Sequence, residues 1–219
     1  VSDYQADLYR RNGFANVEVN KNGVSLPETM VHAPAAEKTA QAGLQLAYLG
    51  GICRHKGYYF LKAVYSRSRL VNLHLRIVDF DTATKHTEQW GDNSVEFVPP
   101  FDMENMAGFY SNIDAIVAPS IWPESFGLIS REALLMGKWV VAADAGGLAE
   151  DVTEGIDGHV FPLGDSDRLH EILVSLDEHA EKYRLSPETT NSKPVKSIAE
   201  QVDELVTLYE WLVDSRGRV

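Results

Sequence analysis

The stretch "DAIVAPSIWPESFGLISREALLMGKWVVAAD", residues 114–144, carries the strongest structural signal in the chain. It contains two apolar runs that read as strands, separated by a turn and by a helical run over residues 128–136. Pro123 biases Trp122 away from helical geometry, so Glu124 is expected in a loop at the carboxyl end of the first strand. The segment therefore predicts a strand, a loop that carries a carboxylate, a helix and a second strand.

The same alternation of apolar strands and helices extends over most of the chain. Predicted strands cover residues 44–51, 73–79, 95–100, 114–120 and 138–144, and predicted helices cover residues 57–69, 102–111 and 128–136. A loop, a short helix and a small strand are expected within residues 145–164, before an amphipathic helix that Asp165 or Ser166 caps. This order is typical of an α/β fold with a doubly wound parallel sheet covered by helices on both faces.

The two ends of the chain differ from this central part. Residues 1–43 contain a predicted helix that stops at Gly13, a short strand at 15–19, a turn at 20–24 and a polar linker at 27–43. Residues 186–197 read as a connector before a last helix. The predicted domains are residues 1–43, residues 44–185, and a connector with a C-terminal helix at residues 186–219. The start at Val1, not at methionine, indicates a fragment.

Composition limits the classes of function. The 219 residues are 44% hydrophobic and 24% charged, which fits a globular domain, and no apolar run is long enough to span a bilayer. The net charge of −12 disfavours nucleic-acid binding, which needs basic surface, but it allows a local basic pocket for one small phosphate ligand. Because Cys53 is the only cysteine, no internal disulfide is possible, and a reducing, cytoplasmic location is expected.

The loop after the first predicted strand, "GGICRHKG" at residues 50–57, is a candidate phosphate site. In a doubly wound sheet ligands bind at the carboxyl ends of strands, where helix N-termini supply N–H groups. Gly50 and Gly51 would let a phosphate approach the backbone, and Arg54 and Lys56 could supply charge. Neither a G-x-G-x-x-G pattern nor a P-loop is present, which disfavours a dehydrogenase or an NTPase. An ordinary connection between a strand and a helix stays an alternative.

The predicted helix after Glu124 is a second candidate anion site. Its start leaves unpaired backbone N–H groups at residues 126–128, a suitable place for a diphosphate. Glu124 and Glu132 flank that start and could accept hydrogen bonds from hydroxyl groups at the two ends of an elongated ligand. The alternative is that Glu124 caps the helix and that Glu132 lies on a solvated face, paired with Arg131 or with a lysine.

Two other chemistries are disfavoured by the sequence. The seven histidines are scattered, with no His-x-x-x-His or Cys-x-x-Cys spacing, so no metal site built from neighbouring residues is expected. Ser120, Ser125 and Ser130 lack the Gly-x-Ser-x-Gly pattern that surrounds a hydrolase nucleophile.

Taken together, the motifs resemble those of the group 1 retaining glycosyltransferases, the glycogen synthase-like enzymes. The resemblance rests on "YLGG" and "KG" in residues 48–57, on residues 110–150, and on "GIDGHVFPLGD" at residues 155–165. That family is characterised by two glutamates separated by seven residues, with Phe-Gly after the first. An Asp-x-x-x-x-Pro-Ser motif before the first glutamate is also characteristic. The resemblance implies the GT-B arrangement of two Rossmann-like domains that face each other across a cleft. This chain resembles the C-terminal, donor-binding domain.

The resemblance also implies roles for individual residues. Lys56 would bind the donor diphosphate and stabilise the leaving group, Glu124 would contact the sugar, and Glu132 would bind the ribose. The implied catalytic residues are thus Lys56 and Glu124, and the implied substrate-binding residues are Gly50, Gly51, Arg54, Lys56, Val98, Glu124, Ser125, Phe126, Gly127, Leu128 and Glu132. The family commonly has arginine where this chain has Gly51, and Arg54 is the candidate that replaces its charge.

The implied reaction transfers a sugar with retention of its anomeric configuration, and no metal or separate cofactor is expected. The donor would be a UDP-, GDP- or ADP-sugar, and the chain's own N-terminal domain would hold the acceptor, a glycan, a lipid or a small molecule. The isolated fragment would transfer little, and peripheral membrane contact through the missing domain is a further expectation. A nucleotide-sugar epimerase of the same architecture and a noncatalytic nucleotide-sugar-binding module stay alternatives.

Overall fold

The computed structural model describes residues 1–25, 43–187 and 193–216, and its central feature is one sheet of seven strands. The strands are β1 (Leu44–Tyr48), β2 (Leu73–Val78), β3 (His86–Trp90), β4 (Asn93–Val98), β5 (Ala115–Ala118), β6 (Trp139–Asp144) and β7 (Gly158–Pro162). The helices are α1 (Asp3–Arg11), α2 (Tyr58–Tyr65), α3 (Met106–Ser111), α4 (Leu128–Leu135), α5 (Ser166–Glu178), α6 (Ala180–Tyr183) and α7 (Ile198–Arg216).

The order of strands in the sheet is β3-β4-β2-β1-β5-β6-β7. All neighbouring pairs from β4 to β7 are parallel, and β1 pairs with β2 on one side and with β5 on the other. The chain therefore winds outward from β1 in both directions. This topology confirms the predicted α/β class and its doubly wound, Rossmann-like sheet.

The sheet departs from parallel pairing at one edge, where β3, a strand that the sequence does not indicate, runs antiparallel to β4. A tight turn at Gly91 and Asp92 joins the two strands, and Gly91 has a positive φ of 59°. The sequence of β3, HTEQW, is polar and mostly exposed, so no apolar pattern marks it as a strand. Its buried residue, Trp90, packs edge-on against Tyr58 with 5.5 Å between ring centroids and anchors the edge strand to the core.

Two shorter predicted elements are wrong. Residues 15–19 form no strand, since they are mostly exposed and pair with no strand of the described sheet. No helix forms between β6 and β7 in the described chain, where turns follow one another instead. Asp165 is confirmed as the cap of α5, since its carboxylate accepts hydrogen bonds from the N–H groups of the first turn. The predicted linker falls mainly on residues 26–42, outside the described residues.

Both faces of the sheet are covered at β5 and β6, which explains why these two strands are apolar apart from Asp144 at the end of β6. β5 is buried at every position, and β6 is buried at every position except its last. The helices α2 and α5 pack against each other. Helix α4 packs along β5 and β6. The carboxyl ends of β1 and β5 stay open to a ligand.

The carboxyl ends of β1 and β5 meet where the sheet changes its winding direction, the place at which α/β proteins bind ligands. Two contacts hold the following loops together. Gly57 has a φ of 85°, and a Cβ there would lie 1.9 Å from the carbonyl oxygen of Pro119. In addition, the N–H group of Ile121 donates to the carbonyl of His55 at 3.0 Å. The loop after β1 therefore lies directly against the loop after β5.

We expect Gly57→Ala to lower the free energy of unfolding by at least about 2 kcal/mol, because alanine is strained at a positive φ and its Cβ would collide with Pro119. Gly108→Ala is the matched control. Gly108 lies inside α3 with no atom within 4 Å of an added Cβ, so the same substitution should be neutral or stabilising there. Urea unfolding of the three proteins measures both effects. An unchanged free energy in Gly57→Ala would contradict the contact between the two loops.

Candidate functional site

A cavity of about 310 Å³ lies at the carboxyl ends of β1 and β5 and at the start of α4. Its lining comes from the two strand ends, from the loops that follow them and from one side of α4. The lining residues are Tyr48, Leu49, Gly50, Lys56, Val117, Ala118, Ser120, Glu124, Leu128, Ile129 and Glu132. Segments far apart in the sequence thus converge on one opening, where the doubly wound topology predicts a ligand.

Lys56 and Glu124 form an ion pair in this cavity, with 2.9 Å between Nζ and Oε2. The hydroxyl group of the buried Ser120 donates a hydrogen bond to the other carboxylate oxygen of Glu124. The backbone of Glu124 is fixed as well, because its N–H group donates to Ala145 at 2.9 Å and its carbonyl accepts from Gly147 at 2.7 Å. The carboxylate of Glu124 is therefore engaged inside the cavity, and the alternative that it caps α4 is wrong.

The start of α4 lies at the cavity and requires a glycine. Gly127, the N-terminal cap, has a φ of 78°, and an added Cβ would lie 2.5 Å from the Cα of Leu148. No side chain of the described residues caps this helix. The first N–H groups of a helix have no partner within it, and the first two residues of α4, Leu128 and Ile129, line the cavity. This helix start can therefore bind an anion through its N–H groups and its dipole.

Arg131 holds the segment before α4 in place from inside the protein. Its guanidinium group is buried and stacks on the ring of Phe126, 3.9 Å from the ring centroid. Nη1 donates to the carbonyls of Phe126 and Gly127, the latter at 3.3 Å, and to the carbonyl of Gly147 at 2.9 Å. The turn into α4 and the loop after β6 are therefore joined through one buried side chain.

Glu132 faces the cavity and does not pair with Arg131, whose guanidinium group contacts Asp151 at 2.5 Å and Glu150 at 3.6 Å. The alternative of an ion pair between Arg131 and Glu132 is therefore wrong. Burial raises the pKa of Glu132 above its ordinary value of 4.5. Burial and then the nearby charge of Glu132 raise the pKa of Tyr110, whose buried hydroxyl has no hydrogen-bond partner among the described residues. The half-buried carboxylate can accept hydrogen bonds from hydroxyl groups of a ligand.

The structure brings part of the predicted site together. The predicted residues that line the cavity are Gly50, Lys56, Glu124, Leu128 and Glu132. Three more, Ser125, Phe126 and Gly127, form the turn that leads into α4, next to the lining but not part of it.

The positive charge expected from Arg54 is not at the cavity. Arg54 is exposed and does not line it, and Gly51 is buried against the ring of Phe80. In the part of the chain that the structure describes, Lys56 is the cation of the cavity lining. Val98 also lies outside the cavity. At the end of β4 it borders a neighbouring groove of about 660 Å³, together with residues 99–102.

Sequence reasoning missed the contribution of Ser120 to this site. The available signal was its position, since Ser120 follows β5 almost directly and strand ends are where ligands bind in this topology. Its hydrogen bond to Glu124 depends on the turn through Pro123, which brings the carboxylate back toward the strand end. Residue types and spacing alone do not reveal that geometry.

Comparison with known proteins points to one family. The family model described as "Glycosyl transferases group 1" matches residues 34–187. Among curated proteins, the chain is similar to D-inositol 3-phosphate glycosyltransferase of Arthrobacter sp. (strain FB24), with 32% identity over 182 residues. That match covers 73% of this chain and 41% of the relative, so the chain spans less than half of the relative's length.

Solved structures share the fold at low sequence identity. Sucrose-phosphate synthase from Thermosynechococcus elongatus matches with a TM-score of 0.68 and 20% identity, over 98% of this chain and 58% of that protein. Anabaena HepE, solved in complex with UDP and glucose, matches with a TM-score of 0.60 and 20% identity, over 77% of this chain and 48% of HepE. The described fold therefore corresponds to about half of each of these larger proteins.

Across residues 1–25, 43–187 and 193–216, no helix combines the length and the apolar character needed to cross a membrane. The same three ranges contain no group of three or more His, Cys, Asp or Glu side chains placed to hold a metal ion. Cys53 and His55 contact each other in the loop after β1, with 3.1 Å between Sγ and Nδ1.

We expect Glu132→Gln to stabilise the free protein at neutral pH. Because the pKa of Glu132 is higher in the folded state than its ordinary value of 4.5, ionisation disfavours the folded state as the pH rises through the raised pKa. Below 4.5 the carboxyl is neutral in both states, and the variant and the wild type should be about equally stable. Urea unfolding over a pH series measures this difference.

The exposed substitution Glu178→Gln on α5 is the control, and it should not produce a stability difference that grows with pH. If Glu132→Gln is less stable than the wild type at neutral pH, the carboxylate must be held by a stabilising partner. That result would contradict the description of Glu132 as a buried carboxylate that faces an open cavity.

Proposed function

The chain belongs to the group 1 glycosyltransferase family, and we propose that it forms the donor-binding domain of a retaining enzyme that uses a nucleotide-diphosphate sugar. The observation that carries the proposal is the content of one cavity. A lysine, a fixed carboxylate, the start of a helix and a second, half-buried carboxylate converge there. This set matches the successive parts of such a donor, which are a sugar, a diphosphate and a ribose.

The diphosphate lies, in this proposal, between Lys56 and the start of α4. Lys56 keeps 39% of its side chain exposed, so its ammonium group can reach a phosphate oxygen as well as Glu124. The N–H groups of the first turn of α4 and the helix dipole favour the same anion. Gly50 contributes backbone to the cavity lining beside Lys56.

The two carboxylates bind hydroxyl groups on either side of the diphosphate. Glu124 contacts the sugar, because Ser120 and Lys56 already orient its carboxylate in the cavity. Glu132 contacts the ribose. The ribose hydroxyl groups would donate hydrogen bonds to its carboxylate and so stabilise the ionised form, which burial otherwise disfavours. The UDP and glucose bound in the HepE structure support a nucleotide-sugar donor. A UDP-, a GDP- and an ADP-sugar all fit this arrangement.

In the proposed reaction, the bond between the anomeric carbon and the diphosphate oxygen breaks, and its electron pair stays on that oxygen. The acceptor oxygen forms its new bond on the same face of the sugar, so the anomeric configuration is retained. The acceptor proton passes to the departing phosphate oxygen. Lys56 and the N–H groups of α4 stabilise the charge that develops on the leaving group, which is a task for preorganised positive groups and needs no metal.

The acceptor binds to a second, N-terminal domain in this proposal. The chain spans 41% of the Arthrobacter relative, so the proposed enzyme has a further half that this chain does not contain. An apolar stripe on α7 supports this, because Ile198, Val202, Val206, Tyr209 and Val213 recur on one side of the helix and are exposed. Residues 44–185 are the donor domain, and residues 1–43 and 186–219 connect it to that half. The proposed location is cytoplasmic, as the single cysteine predicts.

We expect the isolated chain to bind at least one of UDP, GDP and ADP in a calorimetric titration and to transfer little sugar by itself. Lys56→Ala and Glu132→Ala should each weaken nucleotide binding by about 10- to 100-fold, the range for a lost hydrogen bond to a charged group. Arg168 and Glu171, an exposed ion pair on α5 at 3.0 Å, provide the control. Alanine at either position should leave the affinity unchanged. A well-folded chain that binds none of the three nucleotides would contradict the proposal.

Glu124→Gln separates the two ends of the donor. The substitution keeps the size of the side chain but removes the charge that accepts hydrogen bonds from sugar hydroxyls. We expect it to leave the binding of the nucleotide alone at least as strong as in the wild type and to weaken the binding of the nucleotide sugar. Parallel titrations with both ligands give the ratio of affinities. An unchanged ratio would show that Glu124 does not contact the sugar.

A further inference from the structure

Phe80 is an exposed aromatic side chain just after the carboxyl end of β2. It is 61% exposed, yet its ring touches the loop after β1. A Cβ built on Gly51 would lie 2.5 Å from Cδ2 and 2.8 Å from Cε2 of Phe80. The ring therefore rests against the backbone of Gly51 and leaves much of its surface open to solvent.

The turn that carries Phe80 is held by hydrogen bonds. The N–H group of Asp79 donates to the carbonyl of Val98 at 2.9 Å, and the buried carboxylate of Asp79 accepts from the N–H group of Asp81 at 3.1 Å. Gly51, against which the ring of Phe80 rests, is buried and has a φ of 62°. A ring that is held in this way loses little conformational freedom when a ligand stacks on it.

The position of Phe80 follows from the strand order. β2 lies between β1 and β4, so its carboxyl end lies between the loop that carries Gly50 and Lys56 and the segment that begins at Val98. A nucleotide with its phosphates at Lys56 would pass over the end of β2 if its base extended toward the groove at Val98. Phe80 lies just after the end of β2, on this path.

We infer that the base of the donor nucleotide stacks on the ring of Phe80, an inference that rests on the proposed function. Nucleobases present flat π faces, and aromatic side chains bind them largely without regard to their identity. A ring that served the core would be buried, whereas Phe80 is exposed and supported on its inner side. Gly51 has a matching role, because a larger side chain there would displace the ring.

The test compares the wild type, Phe80→Ala and Phe80→Tyr in titrations with UDP, GDP, ADP and pyrophosphate. We expect Phe80→Ala to bind the preferred nucleotide about 5- to 100-fold more weakly, the range for losing one base–aromatic stack, and Phe80→Tyr to bind about as tightly as the wild type. Pyrophosphate has no base, so its affinity should not change in either variant. Trp211→Ala on α7 removes an aromatic side chain with the same 61% exposure and should have no effect.

Three outcomes would count against the inference, and they can be told apart. If the wild type binds a nucleotide and Phe80→Ala binds it equally well, the stacking role is wrong while the proposed function stands. If Phe80→Ala loses pyrophosphate as strongly as the nucleotide, the ring acts only by supporting the loop at Gly51. If the wild type binds none of the nucleotides, the proposed function and this inference both fail.

Discussion

The adjacency of β1 and β5 is the constraint on which the site depends. Because the chain winds away from β1 in both directions, the loops after these two strands leave the sheet side by side and open a crevice between them. The close approach of Gly57 to Pro119 brings the loops into contact, and Lys56 on one loop thereby reaches Glu124 on the other. A sheet order that separated the two strands would also separate this ion pair.

Around this junction the site is ordered by the protein itself. Ser120 and Lys56 orient the carboxylate of Glu124, and Arg131 joins the turn into α4 to the loop after β6. The buried guanidinium group has two carboxylate neighbours, which compensate its charge. Groups that are already in place need no reorganisation when charge develops on a leaving phosphate, so this arrangement suits the proposed transfer of a sugar.

The sequence predicts the α/β class, most elements and several cavity residues, because apolar runs and glycine or proline turns are local signals. It could not predict β3, whose place depends on pairing with β4 and on the contact between Trp90 and Tyr58. Arg131 is next to Glu132 in the sequence, but adjacent helix residues point in different directions, and the carboxylates that Arg131 contacts lie after β6. In the sequence, Gly51 stands where the family commonly has a positively charged arginine. In the structure, the ring of Phe80, from the turn after β2, rests against this glycine. At Arg131 and at Gly51 the missing information is a contact between segments that are distant in sequence, and at β3 it is a polar sequence without the apolar pattern of a strand.

Backbone amide spectra of the isotope-labelled chain, recorded during addition of a nucleotide, test whether the donor binds between the loop after β1 and the start of α4, because they report on each N–H group separately. We expect the amides at residues 126–129, at the start of α4, and at residues 50–51, after β1, to shift together as the nucleotide binds, while those of α5 do not. Binding that shifts only amides elsewhere in the chain, and none at the start of α4, would contradict this expectation.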